Sequence, residues 1–237
     1  MKRAVAILAA LLLLSPIAAV AQFEHPDIKS GKKHVHSLLC MPVQVELTRV
    51  GMKGSESMLQ ESLETEQALT PVIANVFQQL GFLVDLNALA QPVLEKDADL
   101  RYAVDTLQKR FDSELKRMNQ KAKDVRKGRY SLGDEVANLP AGDGVDALLF
   151  VRVRGRVLTG NKKAFSFLVP GGGVFDMTFM QLGIVDAKTG EVLYFARPVV
   201  LKNISDDAEK ASRAIRKSLK NIDKANSAGG QASPEKK

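Results

Sequence analysis

Residues 145–158 read Val145-Asp146-Ala147-Leu148-Leu149-Phe150-Val151-Arg152-Val153-Arg154-Gly155-Arg156-Val157-Leu158, and this stretch decides the fold. An apolar run ending at Val151 gives way to an alternation of Val153 and Val157 with Arg152, Arg154 and Arg156, the period-two pattern of a β-strand. Two further strands follow, over 174–185 and 191–195. Between them lies Asp186-Ala187-Lys188-Thr189-Gly190. Asp starts turns and Gly supplies positive φ, so these residues close an antiparallel hairpin.

Upstream, 37–47 is the first strand, with apolar Leu38, Leu39, Met41, Val43, Val45 and Leu47. The odd positions alternate with Gln44 and Glu46, which predicts one buried face. Thr70 as N-cap and Pro71 at the first helical position open a helix with Val72, Ile73, Val76, Phe77 and Leu80 on its stripe and Gly81 as its stop. Residues 56–68 form an earlier helical segment kinked at Pro71. A short strand over 82–86 then completes strand–helix–strand, which implies a parallel pair. A long helix over about 97–127 carries Leu100, Val104, Leu107, Phe111, Leu115, Met118, Ala122 and Val125 at spacings of three and four. Packing on the chain's own sheet is the favoured use of this seam. The same seam would also suit a homo-oligomer through the long helix. A last helix spans about 205–222. The predicted fold is therefore α/β: a mixed sheet of about five strands, in the order β-α-β-α-β-β-β-α, with helices packed on it.

The ends read differently. Met1-Lys2-Arg3, an uncharged apolar run over 4–14, Pro16, and Ala19-Val20-Ala21 have the form of a signal peptide cut after Ala21. The expected location is periplasmic or secreted. The apolar run is too short for a membrane-spanning helix, which needs about 20 residues. Residues 22–36 read as a flexible lead-in, 37–222 as a single domain, and 223–237 as a disordered tail. Removing 21 of 237 residues leaves 216, enough for one sizeable core, and lowers the formal charge from +7 to +5. A modest positive excess allows contact with acidic partners or anionic lipid. With one cysteine no internal disulfide forms. The absence of Trp and the low aromatic content, together with export, exclude a stacking platform for nucleic acid.

Two local signatures, Gly142-Asp143-Gly144-Val145-Asp146-Ala147-Leu148-Leu149-Phe150-Val151 and Leu182-Gly183-Ile184-Val185-Asp186-Ala187-Lys188-Thr189-Gly190-Glu191-Val192-Leu193, resemble a broad group of bacterial envelope proteins. The group includes the curli secretion lipoprotein, uncharacterised putative lipoproteins of similar size and the amino-terminal domain of the Tol-Pal propeller protein. The resemblance covers roughly 37–222. It implies a mixed sheet packed with helices, a role in envelope assembly or transport, and no catalytic residues. The chain departs from the lipoprotein members in lacking a cysteine to acylate at the end of its signal. It departs from the secretion channel in lacking two long alternating hairpins. The soluble scaffold is what carries over.

The candidate sites are few. His34, His36 and Cys40, with His25 nearby, are weak metal candidates, because residues two apart on a strand point the same way. Their spacing matches no standard ligand pattern, and no metal or other cofactor is expected. Pro170-Gly171-Gly172-Gly173 lies between strands, where a phosphate loop does not belong. Phe165, Phe167 and Leu168, preceded by Lys162 and Lys163, are apolar residues beside positive charge, suited to a partner or to peripheral membrane contact. Arg152, Arg154 and Arg156 share one strand face and suit an acidic partner or lipid headgroups. Lys116–Arg129 is a denser basic cluster at a helix end. All three histidines lie near the amino terminus, and Asp143, Asp146 and Asp186 fall at strand edges or turns, so no catalytic constellation forms. The reading is a non-catalytic exported envelope protein that binds or assembles with other envelope proteins. Its alternative is a peripheral lipid- or small-ligand-binding protein.

Overall fold

The alternating stretch is the centre of a nine-stranded mixed sheet. The computed structural model describes residues 22–51, 54–120, 130–140, 144–158, 177–197, 199–200 and 208–229. In chain order the elements are β1 (Gln22–Glu24), α1 (Pro26–Lys29), β2 (Ser37–Cys40), β3 (Gln44–Gly51), β4 (Gly54–Ser57), α2 (Leu59–Gln79), β5 (Leu83–Asp85), α3 (Gln91–Leu94), α4 (Ala98–Gln120), a 3-10 helix (Asp134–Asn138), β6 (Ala147–Leu158), β7 (Met177–Asp186), β8 (Val192–Ala196), β9 (Val199–Val200) and α5 (Ala208–Gly229). The predicted skeleton of strands and helices is present. The count of about five strands falls short, because the first predicted strand is divided into β2 and β3 and three short strands, β1, β4 and β9, carry little sequence signal.

The strand order is β1-β8-β7-β6-β2-β5, with β3 alongside β6 beyond β2, β4 alongside β3, and β9 alongside β7 beyond β8. Parallel pairing joins β5, β2 and β6, and antiparallel pairing joins β6 to β7 and β7 to β8. The first predicted strand is interrupted. Cys40 pairs with Leu149 and Gln44 with Arg152, so Met41, Pro42 and Val43 oppose only Phe150 and Val151. That is a β-bulge at a proline, one of the few places a sheet accepts a residue with no amide hydrogen. The extra residue reverses the alternation. Leu38 and Cys40, then Val43 and Val45, face one layer, while Leu39 and Met41 face the other. The expectation that the odd positions share one buried face is therefore corrected: this end of the strand is buried on both sides.

Helices cover the two faces unequally. Leu69, Ile73, Val76 and Phe77 of α2 and Ala211, Ile215 and Leu219 of α5 pack on Leu149, Val151, Val153, Leu182 and Ile184. On the opposite face Val104, Leu107, Phe111, Leu115 and Met118 of α4 pack on Leu148, Phe150, Val185 and Phe195. Phe111 stacks on Phe150 with centroids 4.4 Å apart. A Cβ at Gly183, the cross-strand partner of Phe150, would lie 2.4 Å from the Phe111 ring, so glycine makes the slot the ring fills. From Val104 to Met118 the long-helix seam packs on the chain's own sheet, the favoured use read from the sequence, while Ala122 and Val125 lie outside the described residues.

Other expectations change locally. Helix α2 runs unbroken through Pro71. Thr70 does not cap it; its hydroxyl donates to the Glu66 carbonyl at 2.8 Å, the back-bond open to Thr inside a helix. Residues 22–36, read as a flexible lead-in, are tied down. β1 pairs with β8, and Phe23, Ile28 and Val35 are buried. Helix α5 continues to Gly229, past the predicted end.

Candidate binding surface

Strand β6 sets one polar side chain after another on the α4 face, and its neighbours extend each into a row. Gln44, Arg152 and Gln181 are register partners, as are Glu46, Arg154 and Phe179, and then Thr48 and Arg156. The bulge creates this arrangement, because without its extra residue Gln44 and Glu46 would sit on the other face. The first row is closed in. Arg152 pairs with Asp112 of α4 and is only 16% exposed at its side chain. Burial holds its guanidinium pKa below the usual value, and Asp112 offsets only part of that. Its Nε and the Gln44 Oε1 are buried without a partner among the described residues. The second row opens to water: Arg154 meets Glu46 at 3.2 Å, and both are exposed. Arg156 is exposed and has no ion-pair partner among the described residues. Arg197 lies over the Phe179 ring at 5.1 Å on the flank of the patch. The three arginines read from the sequence do share one face, but Arg152 is structural, while Arg154 and Arg156 are presented to solvent. Sequence reasoning missed Glu46, Phe179 and Arg197; the alternation of Gln44 and Glu46 signalled the first, and nothing local signalled the other two. Phe165, Phe167 and Leu168 lie outside the described residues.

Asp146 and Asp186, one from each signature, hold the fold together. Asp186 is buried and accepts from the amides of Lys188 at 2.8 Å and Thr189 at 2.6 Å, and it pairs with Lys33. Burial would raise its pKa, but the Lys33 ammonium and the two amides outweigh that and hold it below the usual carboxylate value. Asp146 accepts from the amides of His36 at 2.8 Å and Ser37 at 3.0 Å. Its pKa is likewise lowered, against burial, by the His36 and Ser37 donors. Both carboxylates fasten residues 33–37 to the strand ends of β6 and β7.

The metal candidates are not brought together. Cys40 points into the core, and burial pushes its thiol pKa up to about 12. His34 and His36 stack at 6.2 Å, and His25 accepts the Asp27 amide at 3.2 Å as the N-cap of α1. Among the described residues no group of three or more His, Cys, Asp or Glu could hold a metal ion.

In a doubly wound sheet, ligands enter where the strand order reverses, beyond the carboxyl ends of the strands. Here the chain goes from β2 to β5 through α2 and returns to β6 through α4 on the other face, so the reversal lies between β2 and β6. The crevice is filled, because β3 continues from β2 along β6 through Leu158. A cavity of about 330 Å³ remains one strand further out, bounded by Cys40, Pro42, Glu66, Pro71 and Leu89. Burial raises the pKa of Glu66 beside it.

No family model matches the chain, and no curated protein matches it. Among solved structures, the PelC dodecamer from Paraburkholderia phytofirmans is similar with a TM-score of 0.36 and 10% identity, over 85% of this chain and 94% of that one. Lipoprotein GNA1162 from Neisseria meningitidis is similar with a TM-score of 0.33 and 12% identity, over 78% of this chain and 99% of that one. Overlaps this loose carry no further argument. Among the described residues no helix is long and apolar enough to cross a membrane.

Proposed function

We propose that this chain is a non-catalytic, exported envelope protein that acts as a binding or assembly component in cell-envelope secretion or transport. The observation that carries the reading is the uncovered end of the β6 face, where Arg154 and Arg156 stand exposed beside Glu46 while the other conspicuous polar groups, Asp146, Asp186 and Arg152, are committed to the fold. A row of guanidinium groups on a rigid strand recognises carboxylates or phosphates with defined geometry. An acidic segment of another envelope protein fits that chemistry. The signal-like residues 1–21 and the resemblance of 142–151 and 182–193 to envelope proteins support the compartment. The other reading of the sequence, peripheral lipid contact, rests on Phe165, Phe167 and Leu168, which lie outside the described residues, and on the same arginines.

The test is affinity capture from solubilised envelopes with the wild-type chain and with Arg154→Glu/Arg156→Glu. The reading expects a stable envelope partner that the variant loses. Recovery of no partner, or of the same partner by both chains, contradicts it.

A further inference from the structure

Helix α5 carries a second basic surface, unrelated to the β6 face. Its buried side is Ala211, Ile215 and Leu219. At 100° per residue, Lys210, Arg213 and Lys217 fall on the opposite side, and all three are exposed. The three positions span two helical turns, about 10 Å of helix at 1.5 Å per residue. Glu209 approaches Arg213 at 3.8 Å, with both side chains well exposed, a geometry that contributes little in water. The apolar side of α5 cannot enter a bilayer, because it is core, and Tyr194 donates its hydroxyl to the Ser218 carbonyl to hold the helix on the sheet. The neighbouring helix α2 has the contrary charge: Glu61, Glu64 and Glu66, and no Lys, Arg or His between Leu59 and Gln79.

A ridge of cations along the outer side of a helix has no groove to enclose a peptide, and the grooves beside Arg110, Phe82 and Pro42 are lined by other elements than α5. Such a ridge does meet a flat anionic surface along its whole length. We propose that the Lys210–Arg213–Lys217 line of α5 is a docking surface for anionic phospholipid headgroups, with the helix lying flat and without insertion and the acidic α2 turned away. Each cation near an anionic bilayer strengthens binding about fivefold, and the effect is screened by salt. The inference deepens the lipid reading and is independent of the protein-partner reading of the β6 face.

The experiment is vesicle co-flotation of the purified chain. It compares phosphatidylcholine vesicles with vesicles containing about 30 mol% phosphatidylglycerol, at low salt and at about 0.5 M salt, where the Debye length falls to a few ångströms. Binding is expected only to the anionic vesicles at low salt. Arg213→Glu/Lys217→Glu should lower it at least about a hundredfold, since two attractions become two repulsions. Arg213→Gln/Lys217→Gln should lower it by about twenty-fivefold, and Arg154→Glu/Arg156→Glu should leave it unchanged. Circular dichroism verifies that the variants fold. Four results would overturn the proposal: no binding to anionic vesicles, binding equal on both lipids, binding insensitive to the α5 substitutions, or binding to soluble polyglutamate but not to vesicles. A loss with the β6 variant instead of the α5 variants would transfer lipid contact to the other face and also overturn it.

Discussion

Between Ala147 and Val151, β6 is packed on both sides, by α2 and α5 on one and by α4 on the other, and every residue there is at most 1% exposed. Past Arg152, which Asp112 still ties to α4, the same strand keeps its α2 side, through Val153, but Arg154 and Arg156 stand in water. The two halves share one register with β7, while on the other side the packed half pairs with β2 and the open half with β3. They differ in what their polar groups do. Near the packed end, Asp146, Asp186 and Lys33 are hydrogen-bonded or paired and hold the strand ends together. At the open end, Arg154 rests on an exposed pair with Glu46 worth less than about 1 kcal/mol, and Arg156 has no ion-pair partner among the described residues. Polar residues placed where they stabilise so little are free to serve recognition, which is why the proposed binding is assigned to this end.

The contrast breaks most readily at the packed end. Phe111→Ala removes the ring that fills the Gly183 slot and stacks on Phe150, so unfolding by urea should show a loss of about 3–5 kcal/mol. Gly183→Val should approach that loss by displacing the same ring, since overpacking costs about 1–3 kcal/mol or more. Asp186→Asn should cost about 2–3 kcal/mol at neutral pH, because it leaves the Lys33 ammonium without its counter-charge. Its pH dependence has a definite sign. The folded pKa of Asp186 lies below the unfolded one, so its contribution is complete above the unfolded carboxylate pKa and fades as pH falls through the lower, folded value. The asparagine variant should therefore lose part of the acid-side slope of stability against pH. Cys40 sharpens the same point: with its thiol buried and its pKa near 12, it should react with a disulfide reagent at pH 8 only as fast as the chain unfolds. Substitutions at the open end should barely register in stability. Arg156→Glu should stay within about 0.5 kcal/mol of wild type by thermal melting, and Arg154→Glu should cost slightly more, since it faces Glu46 directly across the strands.

Much of this was legible in the sequence because the period-two and period-3.6 patterns are strong where burial is strong. The alternation over 151–157, the seam from Val104 to Met118 and the Asp186–Gly190 turn all appear as read. What was missed depends on partners distant in sequence. Pro42 in a strand is a bulge signal in its own right, but its effect on which residues share a face follows only from the pairing with β6. Thr70-Pro71 has the form of a helix start, yet the turns before it pack Leu69 into the core, and that burial carries α2 through the proline. The lead-in over 22–36 looks unstructured by composition, and it is ordered by β8, Asp146 and Asp186, all more than a hundred residues away. For the candidate surface, the shared face of Arg152, Arg154 and Arg156 was legible. The division between them was not, because Asp112 on α4 decides it.

The central claim is that the chain works by binding at the open end of β6. Its most direct test is a photo-cross-linking amino acid at position 156, in living cells, compared with the same group at Lys109 on the outer side of α4. The account predicts an adduct with an envelope component from position 156 and none from position 109. The same adducts from both positions, or none from position 156 while another face of the molecule cross-links, would contradict it.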